Sequence, residues 1–263
     1  SSIMDKPYKI GLSLSGGGAR GIAHIGALAA FEEHGIRPAI ISGTSMGALV
    51  GVFYAAGYPP AQILQLVKET SMLKVFKWQI PSSGLFHLDI IRKILAEKIK
   101  VDDFSSLKIP FCCAVSNLNS GQVEIKSEGP LFAWVVASAS IPVIFEPQQI
   151  GAQTYVDGGL FDNLPAAAIR DKAKMLIGIH VNHNGYQEQV KGFKEVAERT
   201  FQLSVAQNVK ESISLCDMVI TPPNIGQFHT FDFRSADQIF QVGYDETERK
   251  LIKLFDLLGD KFK

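Results

Sequence analysis

The sequence predicts an α/β fold: a three-layer α/β/α domain with a mainly parallel central sheet. Three observations predict it. Strand-like and helix-like stretches alternate along nearly the whole 263-residue chain, the pattern that builds a parallel sheet covered on both faces. Two strand-to-helix junctions are rich in glycine, at residues 16–21 and 43–47, as close βα turns require. The apolar run at residues 175–181 reads as a strand buried in the sheet's interior.

Taken in order, residues 9–15 alternate as a strand and run into Gly16-Gly17-Gly18-Ala19-Arg20-Gly21. Residues 22–34 have helical spacing, with Ile22, Ile25, Leu28 and Ala29 near one face and Gly35 as the stop. A second strand, 39–41, leads into Gly43-Thr44-Ser45-Met46-Gly47 and a helix over 48–56 that ends near Gly57 and Pro59. Helices are predicted at 61–70, 89–99 and 131–140, the last ended by Ile141-Pro142. Strands are predicted at 109–116, 122–126, 153–156 and 217–221. Long helices over 192–215 and 235–258 complete the chain. No linker or internal repeat divides it, so residues 9–263 are read as one domain behind a tail at 1–8. A hydrophobic content of 46% is ample for its core.

Twenty-six basic and 26 acidic residues cancel, without the basic patch that nucleic-acid binding needs. Cys112, Cys113 and Cys216 sit in apolar contexts; an odd number with two adjacent argues against a disulfide framework and for a reducing compartment. Neither the cysteines nor the six histidines have metal-ligand spacing. No apolar run reaches transmembrane length and the N-terminus has no secretory pattern, so the expected location is cytoplasmic, with transient contact at a membrane surface.

Gly16, Gly18 and Gly21 match G-x-G-x-x-G between a strand and a helix. A dinucleotide site would add an acidic residue at the end of the second strand, where this chain has Ile41-Ser42-Gly43, and a phosphate loop would end in G-K-[ST]. Nucleotide binding is therefore not expected. What remains is a run of backbone amides at a helix N-terminus, suited to an anion. An acyl-transferring serine needs such donors for the developing oxyanion, each worth about 10²–10³ in rate. Arg20 is placed either to steady the loop through carbonyl contacts or to help hold an anionic head group.

Ser45 occupies the centre of a G-x-S-x-G pentapeptide in strand–turn–helix context, the setting of a nucleophile on a sharp elbow. The pentapeptide also arises by chance in a chain with 23 glycines, so a tight turn without chemistry is the competing reading. Gly43 and Gly47 flank the serine, and Met46, which follows it, joins Gly16, Gly17, Gly18 and Arg20 as an oxyanion or substrate-binding candidate. A hydroxyl needs a base to take its proton. Asp157, ahead of Gly158 and Gly159, is the candidate base of a dyad or the orienting acid of a triad. In the triad His180, His183 or His229 would be the base; in the dyad an aspartate of ordinary pKa, about 3.9, is a weak base unless desolvated. Spacing leaves the two arrangements open.

The three clusters in this order resemble the patatin-like phospholipase family, in particular its compact bacterial members. Residues 137–142, Phe145-Glu146-Pro147 and the run Asp157 to Pro165 with its Asn163 are similar to further family blocks, and the likeness runs from about Lys9 to the closing helix. Gly159 stands where many relatives have Ala. The resemblance implies a lipid acyl hydrolase with a Ser45–Asp157 dyad, oxyanion donors at Gly16 to Gly18, no metal or other cofactor, and glycerophospholipids or related acyl esters as substrates. An acyltransferase or thioesterase of the same fold, or a non-catalytic lipid-binding protein, is the alternative. Residues 71–88 mix Met72, Leu73, Val75, Phe76, Trp78, Leu85 and Phe86 with Lys74 and Lys77. They suit an interfacial flap, or equally a helix–loop–helix packed on the core.

Overall fold

A computed structural model describes residues 5–70, 85–182 and 185–258. Its eight described strands form one sheet: β1 (Tyr8–Leu14), β2 (Ile40–Gly43), β3 (Phe111–Asn117), β4 (Gln122–Lys126), β5 (Gln148–Ile150), β6 (Gln153–Asp157), β7 (Ala173–Ile179) and β8 (Met218–Ile220). The order is β5-β6-β3-β2-β1-β7-β8, with β4 also paired to β3. Pairings from β3 through β2, β1 and β7 to β8 are all parallel, whereas β4, β5 and β6 join antiparallel. The sheet is therefore mixed, with a parallel centre.

Period-two alternation divides the core between the two faces. Leu12, Leu14, Ile41, Phe111 and Cys113 join one apolar cluster. Ile40 and Cys112, from the intervening positions, join another with Ala166, Ile169 and Leu176. On the first side lie α1 (Ile22–Glu33) and α2 (Met46–Ala55), with α8 (Ala236–Leu258) packed over α1. On the second lies the short α6 (Ala167–Arg170). Three further helices are α3 (Pro60–Thr70), α4 (Asp89–Ile99) and α5 (Phe132–Ser138); α7 (Gly192–Leu215) packs on the turn after β6.

Some local expectations change. The first helix buries nine of its twelve residues, His24 among them, because α8 covers the side that one-faced periodicity assigned to solvent. Helix α2 starts at Met46, directly after the serine, rather than at 48. Strand β1 begins at Tyr8, inside the stretch read as a tail, since Tyr8 N–H donates to Lys172 O at 3.0 Å. Strand β5 and helix α6 were not anticipated; β5 is three residues paired to β6 across Gly151-Ala152, and only that short glycine turn signals it. Cys112 and Cys113 are buried, as expected of small hydrophobes, whereas Cys216, expected to be buried with them, is half-buried at the end of α7; burial raises all three thiols above their ordinary pKa. No helix among the described residues is long and apolar enough to cross a membrane.

Candidate active site

The elbow is built where β2 stops and α2 begins. Ser45 sits between them at φ 57° and ψ −122°, a conformation that costs a side-chain-bearing residue on the order of 1–3 kcal/mol. Neighbouring hydrogen bonds hold it there. Ser45 N–H donates to Ser138 Oγ at 2.9 Å, Thr44 N–H to Leu14 O at 3.1 Å, and Thr44 Oγ1 to Asp162 O at 2.8 Å. Gly47 lets the turn lie against β1, because a Cβ there would stand 2.2 Å from Leu14 O. Ser45 is 6% exposed and lines two cavities.

Sheet register brings Asp157 to the same place. Cys113 pairs with both β2 and β4, and residues 115–117 pair with both β4 and β6. A strand has two edges, so β2 and β6 must share one. Strand β2 ends at Gly43 opposite Cys113, and β6, running the other way, ends at Asp157 opposite Val115. The two chain ends therefore meet head to head, two β3 residues or about 6.7 Å apart along the strand. Asp157 N–H donates to Ser140 O at 2.9 Å, which fixes the strand end.

The Asp157 carboxylate is 1% exposed. Its Oδ1 accepts the Gly159 N–H at 2.7 Å, while Oδ2 is buried without a hydrogen-bond partner. Burial raises its pKa to about 7; the nearby Ser45 hydroxyl and the Gly159 amide pull it partly back. The hydroxyl is thus near enough to favour the charged carboxylate, yet the two side chains fall short of ordinary hydrogen-bond geometry. Catalytic hydrogen bonds are often loose before substrate binds. None of the histidines lines either cavity among the described residues. His180 is a strand-end residue whose pKa burial lowers to about 4, and His183 lies outside the described residues.

The glycine loop faces the elbow. Gly16 N–H donates to Asn163 O at 3.2 Å and Ala19 N–H to Thr230 O at 2.7 Å, whereas the amides of Gly17 and Gly18 between them have no acceptor among the described residues. Gly18, at φ +58°, also packs so close to the 230 carbonyl that a Cβ would be 2.2 Å from it. Gly21 closes the 3₁₀ turn Gly18–Gly21, and Gly158 and Gly159 open the one after Asp157. Arg20 is 4% exposed and ties the loop to residues 228–230: Nη1 donates to Phe228 O at 3.3 Å, and Nη2 to Asn182 Oδ1 at 2.8 Å and Thr230 Oγ1 at 3.4 Å. Burial lowers its pKa to about 10 against the opposing pull of Glu198. These bonds steady the loop, and Arg20 also lines the smaller cavity with its Nε buried and without a hydrogen-bond partner among the described residues.

Two cavities meet at Ser45, Gly18 and Ile141. The larger is walled by Met46, Leu49, Val67, Leu88, Ile91 and Phe233, among other apolar residues. The smaller is more polar, with Arg20, Asp157, Asn163, Glu198, Gln202 and Thr230 on its wall. Glu198 Oε1 accepts from Thr230 Oγ1 at 2.8 Å and from Gln202 Nε2 at 3.4 Å. Sequence reasoning missed Ser138, Glu198, Gln202 and Asn208, since polar residues inside helices carry no local signal of what they face. Of the stretch read as a flap, residues 71–84, with Phe76 and Trp78, lie outside the described residues. Phe86 N–H donates to Ile144 O at 2.9 Å, and Leu88 lines the apolar cavity. No group of three or more metal-ligating side chains gathers among the described residues.

A family model described as "Patatin-like phospholipase" matches residues 12–169, which include the loop, the elbow and Asp157. The chain is 28% identical over 273 residues to "Lysophospholipase NTE1" of Coccidioides immitis, covering 89% of this chain and 17% of that protein. It is 30% identical over 270 residues to the "Lysophospholipase NTE1" of Eremothecium gossypii, covering 89% and 18%. Similarity to "Patatin-like phospholipase domain-containing protein 6" of Mus musculus is 28% over 273 residues, covering 89% and 20%. The chain thus spans a fifth or less of the length of these curated relatives. Among solved structures, VipD from Legionella pneumophila shares the fold, with a TM-score of 0.61 at 14% identity, covering 94% of this chain and 67% of that one.

Proposed function

The chain belongs to the patatin-like phospholipase family, and from that premise we propose that it is a serine acyl hydrolase cleaving acyl esters of glycerophospholipids or related lipids. One observation carries the reading: a strained serine and a buried aspartate with its pKa raised to about 7 converge where an apolar and a polar cavity join. A base poised near the working pH is best matched to proton transfer, and burial brings Asp157 there from an ordinary value of about 3.9.

In the proposed reaction Ser45 Oγ attacks the ester carbonyl carbon while its proton passes to Asp157 Oδ2. The carbonyl π electrons move onto oxygen, and the oxyanion accepts hydrogen bonds from the Gly17 and Gly18 amides. Collapse breaks the bond to the alcohol, which leaves with the proton from Asp157, and the acyl group stays on Ser45. Water then attacks the acyl-enzyme, giving its proton to Asp157, and the fatty acid departs as Ser45 is reprotonated. The acyl chain would lie in the apolar cavity and the departing alcohol in the polar one. One cavity of each kind suits a lipid with a single acyl chain, and the relatives named lysophospholipase support the same substrate class.

Fluorophosphonate labelling with product analysis tests the proposal. Wild-type protein should label and release fatty acid from lysophospholipid faster than from diacyl phospholipid, and Ser45→Ala should do neither. Supplying an alcohol acceptor separates hydrolysis from acyl transfer. A protein that neither labels nor cleaves any acyl ester would overturn the reading in favour of a binding role.

A further inference from the structure

The Gly17 amide is aimed by residues that the reaction itself does not use. Both ends of the Ser15–Gly16 peptide are held: Ser15 O lies 2.7 Å from His24 Nε2, and Gly16 N–H donates to Asn163 O at 3.2 Å. The following peptide is gripped by its oxygen, with Asn163 Nδ2 donating to Gly16 O at 3.3 Å and Ser15 Oγ at 3.0 Å. In a trans peptide the carbonyl oxygen and the next N–H point in opposite directions, and there are no cis bonds among the described residues. A Gly16 carbonyl turned toward Asn163 therefore turns the Gly17 N–H away from it, and Gly17 lines the polar cavity beside Ser45.

Asn163 is itself held from α7. Its N–H donates to Asn208 Oδ1 at 2.9 Å, and Asn208 Nδ2 donates to Gly159 O at 2.8 Å and Leu160 O at 3.2 Å, in the turn that follows Asp157. Two asparagine side chains thus tie the glycine loop to the Asp157 turn. We propose that Asn163 is a positioning residue that presents the Gly17 amide to the oxyanion, and that Asn208 keeps this donor in register with Asp157. The proposal rests on the acyl-hydrolase reading above.

Asn163→Asp keeps the side-chain shape but cannot donate to Gly16 O. Losing one aimed donor should lower kcat about 10²-fold with a much smaller change in KM. Affinity for an alkyl trifluoromethyl ketone, which forms a tetrahedral oxyanion on a serine, should fall about 10²-fold more than affinity for a non-hydrolysable ether analogue of the lipid. Asn208→Asp, which cannot donate to Gly159 O, should show the same split more weakly and decides the matter if Asn163→Asp does not fold. An unchanged kcat, or equal losses for the ketone and the ether, would overturn the proposal. Wild-type activity that depends on Ser45 shows in the same assay that the underlying reading stands. Wild-type protein inert toward esters and fluorophosphonate would instead overturn that reading, and this proposal with it.

Discussion

Ser138 Oγ accepts the Ser45 N–H at 2.9 Å and donates its own proton to Ala114 O at 2.6 Å, so a serine in α5 links the strained elbow to β3. The bond is buried and compensates part of the backbone strain at φ 57°. Removing its acceptor leaves both the Ser45 amide and the Ala114 carbonyl short of a partner. Ser138→Ala should destabilise the fold by about 1–3 kcal/mol and lower kcat, because the elbow then relaxes toward an unstrained conformation. Urea unfolding and steady-state kinetics read the two effects. Unchanged values for both would mean the elbow is held without Ser138.

Activity should follow the charge on Asp157. In the proposed reaction a pKa of about 7 leaves Asp157 protonated and idle in acid and competent as the base above neutrality. The kcat/KM for a soluble ester should therefore rise about tenfold per pH unit below 7 and level off above it. A midpoint near 4 would show an aspartate of ordinary acidity and remove desolvation from the account.

The same shift has the opposite consequence for stability. A carboxyl whose folded pKa exceeds its unfolded value binds its proton more tightly when folded, so its contribution is present below about pH 4 and is lost as pH rises through about 7. Asp162, also raised to about 7 by burial, behaves likewise, whereas His24 and His180, lowered to about 4, shift stability the other way. Comparison of wild type with Asp157→Asn isolates the one residue. The variant should be inactive yet more stable at pH 8, by on the order of a few kcal/mol, and the difference should vanish near pH 4. Equal stability at pH 8 would contradict the burial cost.

Val67 of α3 lines the apolar cavity. Val67→Trp should shorten it, and each excluded methylene forfeits about 0.8 kcal/mol of burial. Excluding two methylenes lowers kcat/KM for long acyl esters about tenfold while short ones are spared. A series of p-nitrophenyl esters of increasing chain length provides the readout, and a uniform loss at every length would place the acyl chain elsewhere.

Much of the site was legible in sequence because it is local. Residues 43–47 and 157–159 announce strand ends with close turns, and the helices over 89–99 and 192–215 match their predicted ranges, since hydrophobic period and glycine placement are written within a few residues of where they act. The proposed donor assignment is not local. Gly16, Gly17 and Gly18 are equivalent candidates in sequence, and what distinguishes them is that the Gly16 amide meets the Asn163 carbonyl, 147 positions away.

Composition, periodicity and motif order by themselves determined the α/β class, the elbow at Ser45 and the candidacy of Asp157. Tertiary structure decided how these parts are placed: β2 and β6 meeting on one edge of β3, a carboxylate desolvated until its pKa nears 7, Arg20 bonded from the loop to Phe228, and an apolar cavity set beside a polar one. The division has a physical cause. Turns and helices follow from short-range sterics, whereas burial, pKa and cavity shape arise from strand register and packing between residues far apart in the chain.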